Sequence, residues 1–287
     1  MLYHRQRFLL SLLAELPGCT KIKLQKLMFL YGEETKEPPY SFFPYKYGPY
    51  SFTLENDLTE LFKKGFVTIN EEKINKTGLI APRSSRYSES DLEHTLSKYG
   101  DKQVNDLLEL VYHKFPQYTI KSVIREKYLT EDEAREVCTS YQPVFSHSLF
   151  TIGYEGRTID SYLNLLLKNQ IKLLVDVRSN PFSMKLDFIG SKLKTYCRMI
   201  DVDYTGFPDL GIESKHRKDF QNRDELLQFY TENILPFRSV SIKKIKSLIT
   251  KYDRVAFTCF ESDHYECHRY RLVSFLDEKG EYFVTHL

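Results

Sequence analysis

Apolar positions recur at helical spacing through the first quarter of the chain. Residues 3–16, 20–33 and 51–64 each place large apolar side chains three or four positions apart, which predicts three amphipathic helices. Two short strand-like runs, 66–70 and 74–78, follow and predict a β-hairpin. Three helices followed by a hairpin is the order of a winged helix. The pattern therefore predicts a mostly helical, winged-helix-like N-terminal domain.

The next part of the chain is again helical but more polar, over residues 90–137. It contains Thr130-Glu-Asp-Glu133, in which a threonine and a glutamate three positions later form a capping box at a helix start. Gln142-Pro-Val-Phe-Ser-His147 then interrupts the pattern and is interpreted as a linker. We expect a domain over residues 1–140 to fold independently of a second domain over residues 148–287.

From residue 149 the pattern changes to short apolar runs that alternate with helical segments. The predicted strands are 149–153, 172–177, 202–206, 254–259 and 282–286. The predicted helices are 158–168, 190–200, 224–235, 240–251 and 268–278. The first two runs are apolar at successive positions, as in strands buried on both faces of a parallel sheet. This order predicts an α/β fold with a five-stranded, doubly wound parallel sheet, Rossmann-like in architecture.

Composition and charge narrow the class of protein. The 287 residues carry a net charge of +2 and are 41% hydrophobic, which is ordinary for a globular protein and gives no bulk signal for nucleic acid. The apolar runs are shorter than the ~18 residues of a membrane span, and no secretory leader is recognisable. The five cysteines have no disulfide-framework spacing, so we expect a cytoplasmic protein with reduced thiols and no membrane association.

Chemically reactive residues follow three of the predicted strands. The candidates are Glu155 after the first strand, Asp176, Arg178, Ser179 and Ser183 after the second, and Cys259, Glu261, His264, Cys267, His268 and Arg269 after the fourth. Open parallel sheets bind their ligands at the carboxyl ends of the strands. We therefore expect the three strand ends to form one shared site.

Two roles agree with the chemistry of these candidates. Basic and hydroxyl side chains near the amides of two helix starts are typical of a phosphate or carboxylate site. The predicted anion-binding residues are Arg178, Ser183, His268 and Arg269. The alternative is that Arg178 only pairs with a carboxylate, from Asp176 or Glu261, and braces the loops. Carboxylates at neighbouring strand ends can act as acid and base. The predicted catalytic carboxylates are Asp176, Glu261 and Glu155.

The cysteines offer further chemistry. Cys267 stands where a helix is predicted to begin, a position that favours a nucleophilic thiolate, so Cys267 is a candidate nucleophile. The alternative is that the cysteines only fill space at a strand end. Cys259, His264, Cys267 and His268 have donor atoms suitable for zinc. Their spacing, C-x4-H-x2-C-H, matches no ordinary zinc site, so no metal is predicted. Gly153-Tyr-Glu-Gly156 lacks the full glycine pattern of a nicotinamide site, and no cofactor is predicted.

Several motifs of the C-terminal half form a recognisable set. They are Thr151-Ile-Gly-Tyr154, Asp176-Val-Arg-Ser-Asn-Pro-Phe-Ser183, Phe188, Tyr204, Leu210-Gly211 and Cys259 with Cys267-His-Arg269. Together they resemble the family of the domain of unknown function "four-eight-eight", which includes the YeaO-like proteins. The resemblance implies the fold and the position of the site more than a reaction.

Two motifs of the N-terminal half form a second set. Lys23-Leu-Gln-Lys-Leu27, followed by Tyr45-Lys-Tyr-Gly-Pro49, is similar to the Panacea or SocA-like antitoxin-associated domains. This resemblance implies a winged-helix-like module that recognises a macromolecule. The predicted nucleic-acid contacts are Lys21, Lys23, Lys26 and Lys46. A loop rich in aromatic residues is predicted over residues 40–50. In the alternatives, this loop packs the base of a wing, or the module binds a protein partner.

The sequence thus predicts an enzyme that acts on nucleic acid or a nucleotide, in DNA repair, modification or phage defence. The N-terminal domain would recognise DNA, RNA or a protein partner. The strand-end site would act as a hydrolase or lyase on a phosphate or glycosidic group. Two alternatives stay open: a non-catalytic regulator that binds DNA or protein and senses an anionic ligand, and a thiol-dependent enzyme acting on a small molecule.

Overall fold

A computed structural model describes residues 1–140 and 148–287. The predicted linker, residues 142–147, lies outside the described residues. The chain divides into two compact units, Met1–Tyr141 and Gln142–Leu287, which are called the N-terminal and the C-terminal unit.

Helices dominate the N-terminal unit. Its elements, in chain order, are α1 (His4–Glu15), β1 (Cys19–Thr20), α2 (Lys21–Glu34), β2 (Phe43–Tyr45), β3 (Gly48–Tyr50), α3 (Phe52–Lys63), β4 (Val67–Asn70), β5 (Lys73–Lys76), α4 (Glu89–Tyr99), α5 (Val104–Lys114) and α6 (Glu131–Ser140). Strand β5 pairs antiparallel with both β1 and β4. The predicted three helices and hairpin are present, and the short strand β1 completes a three-stranded sheet in the order of a winged helix.

Local sequence explains where these helices begin. The Oγ1 atom of Thr20 accepts a hydrogen bond from the backbone of α2, and Ser51 Oγ does the same for α3, as expected of helix caps. The aromatic segment 40–50, predicted as a loop, contains the hairpin β2–β3 instead. Gly48, at φ +84°, makes the tight turn possible, and the rings of Phe43 and Tyr50 pack across the two strands.

Strands and helices alternate in the C-terminal unit. Its elements are β6 (Ser148–Gly153), α7 (Ile159–Lys168), β7 (Leu173–Asp176), α8 (Gly190–Met199), β8 (Asp203–Gly206), α9 (Arg223–Phe229), α10 (Ser239–Lys251), β9 (Arg254–Cys259), α11 (His268–Leu276) and β10 (Phe283–His286). The five strands form one parallel sheet in the order β10-β6-β9-β7-β8. The predicted α/β fold class is therefore confirmed.

The middle of this sheet forms the core of the C-terminal unit. Every residue of β6 and β7 is buried, as expected for strands covered on both faces. Strands β6, β9 and β7 are neighbours in the sheet and run parallel. Their carboxyl ends, which carry the candidate residues, therefore lie side by side. Within the described parts of the chain, no helix is both long enough and apolar enough to cross a membrane.

Candidate functional site

The end of β7 is occupied by a buried ion pair. Asp176 is 1% exposed and Arg178 is 6% exposed. Arg178 Nε donates to Asp176 Oδ1 at 2.8 Å, and the Tyr204 hydroxyl donates to Asp176 Oδ2 at 2.6 Å. Burial opposes the charge on Arg178, but the hydrogen bond and the charge of Asp176 outweigh burial and raise the pKa of the guanidinium. The two residues therefore form an ionic pair that uses both oxygen atoms of the carboxylate.

Arg178 also ties this pair to two neighbouring segments. Its Nη1 atom donates to the Tyr154 hydroxyl at 3.0 Å and to the Phe188 carbonyl at 2.8 Å. The Tyr154 and Phe188 rings stack with their centroids 4.5 Å apart. Ser183 Oγ accepts a hydrogen bond from the backbone of Lys185. These contacts are those of the bracing alternative, and the anion-binding role of Arg178 and Ser183 stays a prediction.

The end of β9 carries a different group, called here the thiol cluster: Cys259, Glu261, Cys267 and His268. All four side chains are buried, with exposures between 1% and 8%. Cys259 is the last residue of β9, and Cys267 occupies the N-cap position of α11 without a side-chain capping hydrogen bond. Glu261 Oε2 lies 3.2 Å from Cys259 Sγ and 3.0 Å from Cys267 Sγ. One carboxyl oxygen therefore contacts both thiols.

The orientation of His268 is fixed by a backbone contact. Its Nε2 atom lies 2.9 Å from the carbonyl oxygen of Val177. Because a carbonyl can only accept, Nε2 carries the proton and donates. The other nitrogen, Nδ1, faces the sulfur atoms of Cys259 and Cys267 at 3.7 Å and 4.0 Å. The two sulfurs and Nδ1 all lie within 4.8 Å of one another.

The two thiols differ in their electrostatic surroundings. Burial raises the pKa of Cys267, but hydrogen bonds from Cys259 and His268 and the positive charges of His268 and Arg269 outweigh burial and hold this pKa well below its usual value. The hydrogen bond to Cys267, together with burial, raises the pKa of Cys259 well above its usual value. Burial and the charge on Cys267 raise the pKa of Glu261. Of the two thiols, Cys267 is therefore the one whose surroundings favour the thiolate.

Arg269 lies beside the cluster and is fully buried. Its Nη1 atom donates to the Glu261 carbonyl at 2.7 Å, and Nη2 donates to the Ser262 carbonyl at 3.2 Å. Its Nε atom has no hydrogen-bond partner among the described residues. Arg269 therefore holds the loop that joins β9 to α11, and its predicted contact with an anionic ligand stays a prediction.

The ends of β6 and β9 touch through their backbones. A Cβ atom at Gly153 would lie 1.7 Å from the Glu261 carbonyl oxygen, so this close approach requires glycine. Glu155, predicted as catalytic, is exposed and accepts hydrogen bonds from the backbone and the hydroxyl of Ser262. Glu155 thus supports the same loop, and nothing in these contacts tests the catalytic role predicted for it.

Sequence reasoning missed Arg223, which precedes the thiol cluster by many residues. Its Nη2 atom donates to Glu261 Oε1 at 2.9 Å, and its Nε atom donates to the Glu266 carbonyl at 2.7 Å. No signal in the sequence points to this residue, because it begins a helix and follows no strand. His264 does not join the cluster with the cysteines: its ring stacks on His286, with centroids 3.9 Å apart.

One of the predicted nucleic-acid contacts in the N-terminal unit is buried. Lys26 is 2% exposed, and its Nζ atom donates to the Pro49 carbonyl at 2.8 Å. Burial lowers the pKa of Lys26 to about 7. The structure contradicts a surface contact at this residue, because α2 is buried from Leu24 to Tyr31 and has no outward face there.

The other three predicted lysines differ in their exposure and in their contacts. Lys21 is exposed and pairs with Glu55 at 2.6 Å. Lys46 is exposed and lies over the Tyr45 ring, and Lys23 is half-buried. Their roles in nucleic-acid binding stay predictions.

The fold and the thiol cluster define the C-terminal unit as a parallel α/β domain with a thiol-rich site at its strand ends. Residues 158–276 match the family described as "Domain of unknown function DUF488". This match confirms the resemblance predicted for the C-terminal half, and the family's description names no reaction. No curated protein matches the chain, and no solved structure matches it. The resemblance of the N-terminal half to Panacea or SocA-like domains stays a prediction.

Proposed function

We propose that the C-terminal unit is a hydrolytic enzyme that acts on a nucleotide or nucleic acid, with the thiol cluster as its reaction centre. The position of Glu261 carries this proposal. One of its oxygens contacts two thiols within 3.2 Å, and the other accepts from Arg223. Asp176 faces the guanidinium of Arg178 and the Tyr204 hydroxyl, whereas Glu261 Oε2 faces two thiols, which can exchange a proton with it. Glu261 is therefore the carboxyl group best placed at this edge to move a proton during a reaction.

Exposed aromatic side chains support the proposed class of substrate. Phe182 is 61% exposed, Phe260 is 44% exposed and Tyr265 is 62% exposed. They lie on the loops that follow β7 and β9, as does the exposed Lys185. Nucleobases stack on such rings, and a lysine nearby favours the sugar-phosphate backbone. A substrate of this kind fits these loops better than a small apolar molecule does.

Glu261→Gln tests the proposed enzyme, since it keeps the size of the side chain and removes the acid. The assay is hydrolysis of a panel of mononucleotides, single-stranded DNA and RNA, and duplex DNA. We expect activity to fall about 10²- to 10⁴-fold, the usual contribution of a general acid or base. Glu281→Gln, which is exposed and lies in the same unit away from the thiol cluster, is the control and should keep full activity. Wild-type protein that is inactive on the whole panel would contradict the proposal.

The order of elements in the N-terminal unit supports a role for it in recognising nucleic acid, as an enzyme of DNA repair, modification or phage defence would need. The test is binding to single- and double-stranded nucleic acid at increasing salt. Affinity should fall steeply with salt, because each phosphate contact releases counterions. The double variant Lys21→Glu, Lys23→Glu should abolish binding, whereas Lys26 is left unchanged because it is buried. Absence of binding at low salt would favour a protein partner instead.

A further inference from the structure

Cys259, Cys267 and His268 have the arrangement of a metal-ligand set. Their donor atoms lie within 4.8 Å of one another, and Nδ1 of the histidine is 3.7 Å and 4.0 Å from the two sulfurs. In a tetrahedral site with Zn–S bonds of about 2.3 Å and Zn–N bonds of about 2.0–2.1 Å, neighbouring ligand atoms lie roughly 3.5–3.8 Å apart. The three donors therefore need to move only slightly to surround one ion.

The contact between His268 and the backbone is independent evidence for a ligand role. Histidines that bind metals usually donate their second N–H to a carboxylate or a backbone carbonyl, which fixes the ring and its tautomer. Here Nε2 donates to the Val177 carbonyl at 2.9 Å. In the neutral imidazole, which is the form that binds a metal, the lone pair of Nδ1 is thereby directed towards the sulfurs of Cys259 and Cys267.

The charge of Arg269 provides a third observation. This guanidinium is fully buried and, within the described residues, its hydrogen bonds go to backbone carbonyls and its Nε atom has no partner. A buried cation is costly unless negative charge lies close to it. Two thiolates and the Glu261 carboxylate around a divalent ion sum to one negative charge. Two guanidinium groups adjoin this negative charge: Arg223 donates to Glu261 Oε1, and Arg269 donates to the Glu261 carbonyl.

We propose that Cys259, Cys267 and His268 bind a divalent ion of the zinc class and that Glu261 lies beside the fourth ligand position, which a water molecule takes. Two sulfurs and one imidazole favour zinc over magnesium or calcium, which prefer oxygen ligands. The same set of two cysteines and one histidine, with a glutamate that is not a ligand, activates water in the zinc deaminases.

The role of the ion rests on the proposed hydrolytic function, whereas its binding does not. The metal-bound water gives its proton to Glu261 and attacks the electrophilic atom of the substrate as hydroxide. The bond to the leaving group breaks, and Glu261 returns the proton to that group. The net reaction is addition of one water molecule, and no oxidant or reductant is required.

The first test is the zinc content of the full chain, expressed in zinc-supplemented medium, purified without chelators and measured by elemental mass spectrometry and native intact mass. We expect about one zinc ion per chain. Cys259→Ser, Cys267→Ser and His268→Ala should each lose most of it. Cys138→Ser is the matched control, because this cysteine lies in α6 of the N-terminal unit, and it should retain the metal.

Cobalt titration of the wild-type apoprotein keeps the inference testable if the variants do not fold. Binding should give the visible and near-ultraviolet bands of tetrahedral cobalt thiolate, and zinc should displace the cobalt and raise the melting temperature. Absence of zinc and of these bands would overturn the inference. So would alkylation of Cys259 and Cys267 that is rapid in the protein as purified and unchanged by a chelator, which favours a thiol-dependent enzyme. A chain that binds zinc but hydrolyses no nucleotide would leave the metal site standing and remove only the proposed function.

Discussion

At the scale of the residue, burial decides which charged side chains can take part in function. Lys21 and Lys26 belong to the same helix, yet one is exposed and the other contacts only the protein interior. The sequence could not show which of the two lysines is exposed. A lysine that follows leucines along a helix gives the same sequence pattern whether its side chain faces solvent or a second packed element. For Asp176 and Arg178 the sequence left two interpretations open, an anion site and an internal ion pair, and the structure shows the ion pair.

Lys26 should make stability depend on pH. Its pKa in the folded chain is about 7, below about 10.4 in an unfolded chain. Between these values the unfolded chain binds more protons, so the free energy of unfolding should rise with pH, by up to about 1.4 kcal/mol per pH unit. Below pH 7 this contribution is lost. Lys26→Met should remove the rise, and urea unfolding of both proteins at pH 6, 7.5 and 9 measures the difference. A difference that does not change with pH would refute a buried neutral amine.

Asp176→Asn should destabilise the C-terminal unit strongly. It leaves the buried Arg178 without its counter-charge, and breaking a buried pair in this way costs about 3–5 kcal/mol. Glu213→Gln is the control, since it removes one member of an exposed ion pair with Lys215 in the same unit. Its effect should be much smaller, because an ion pair between exposed side chains contributes little to stability. Similar losses of unfolding free energy in urea for the two variants would show that the pair at β7 is not a brace.

At the scale of the element, the strands and helices of the C-terminal unit could be predicted nearly completely. The apolar runs and the helical spacing place β6 to β10 within one or two residues of their observed bounds. Two features could not be predicted. Helix α9 continues as a π-helical turn over Tyr230–Ile234, before Pro236, which cannot donate a helical hydrogen bond. The grouping of Cys259 with Cys267 and His268 depends on how α11 packs back against the end of β9, which sequence spacing does not reveal.

The contact between the ends of β6 and β9 should be intolerant of any side chain. Gly153→Ala places a Cβ atom 1.7 Å from a backbone oxygen, so the loop that carries Glu261 must move. We expect a loss of about 1–3 kcal/mol or more from overpacking, together with weaker zinc binding. Gly156→Ala has open space but a φ of +73°, and it should cost about 1 kcal/mol and leave the zinc content unchanged. Equal effects of the two changes on zinc content would argue against the close approach.

At the scale of the whole molecule, the change from helical spacing to alternating strands predicts two domains, and each unit has its own hydrophobic core. The sequence could not supply the order of the strands, because β6 and β7 are consecutive in the chain but are separated by β9 in the sheet. That order places the carboxyl ends of β6, β9 and β7 side by side, together with the candidate residues that follow them.

The two units should fold independently. Fragments 1–140 and 148–287, expressed separately, should each unfold cooperatively in urea. Limited proteolysis of the full chain should cut first between about residues 138 and 148. The sum of the two circular dichroism spectra should reproduce the spectrum of the full chain. A fragment that is soluble only in the presence of the other would show that the two halves fold as one.

The sheet order also has a consequence for biosynthesis. Strand β6 is the first strand of its sheet to leave the ribosome, yet its partners β9 and β10 are the last two. The roughly 100 residues between β6 and β9 take about 5–20 s to synthesise, and during this time both edges of an apolar strand stay unpaired. We expect the yield of folded protein in cells to depend on chaperones that shield nascent chains. Co-expression of such a chaperone should raise the soluble fraction of the full chain, and it should have little effect on fragment 1–140, which lacks this strand.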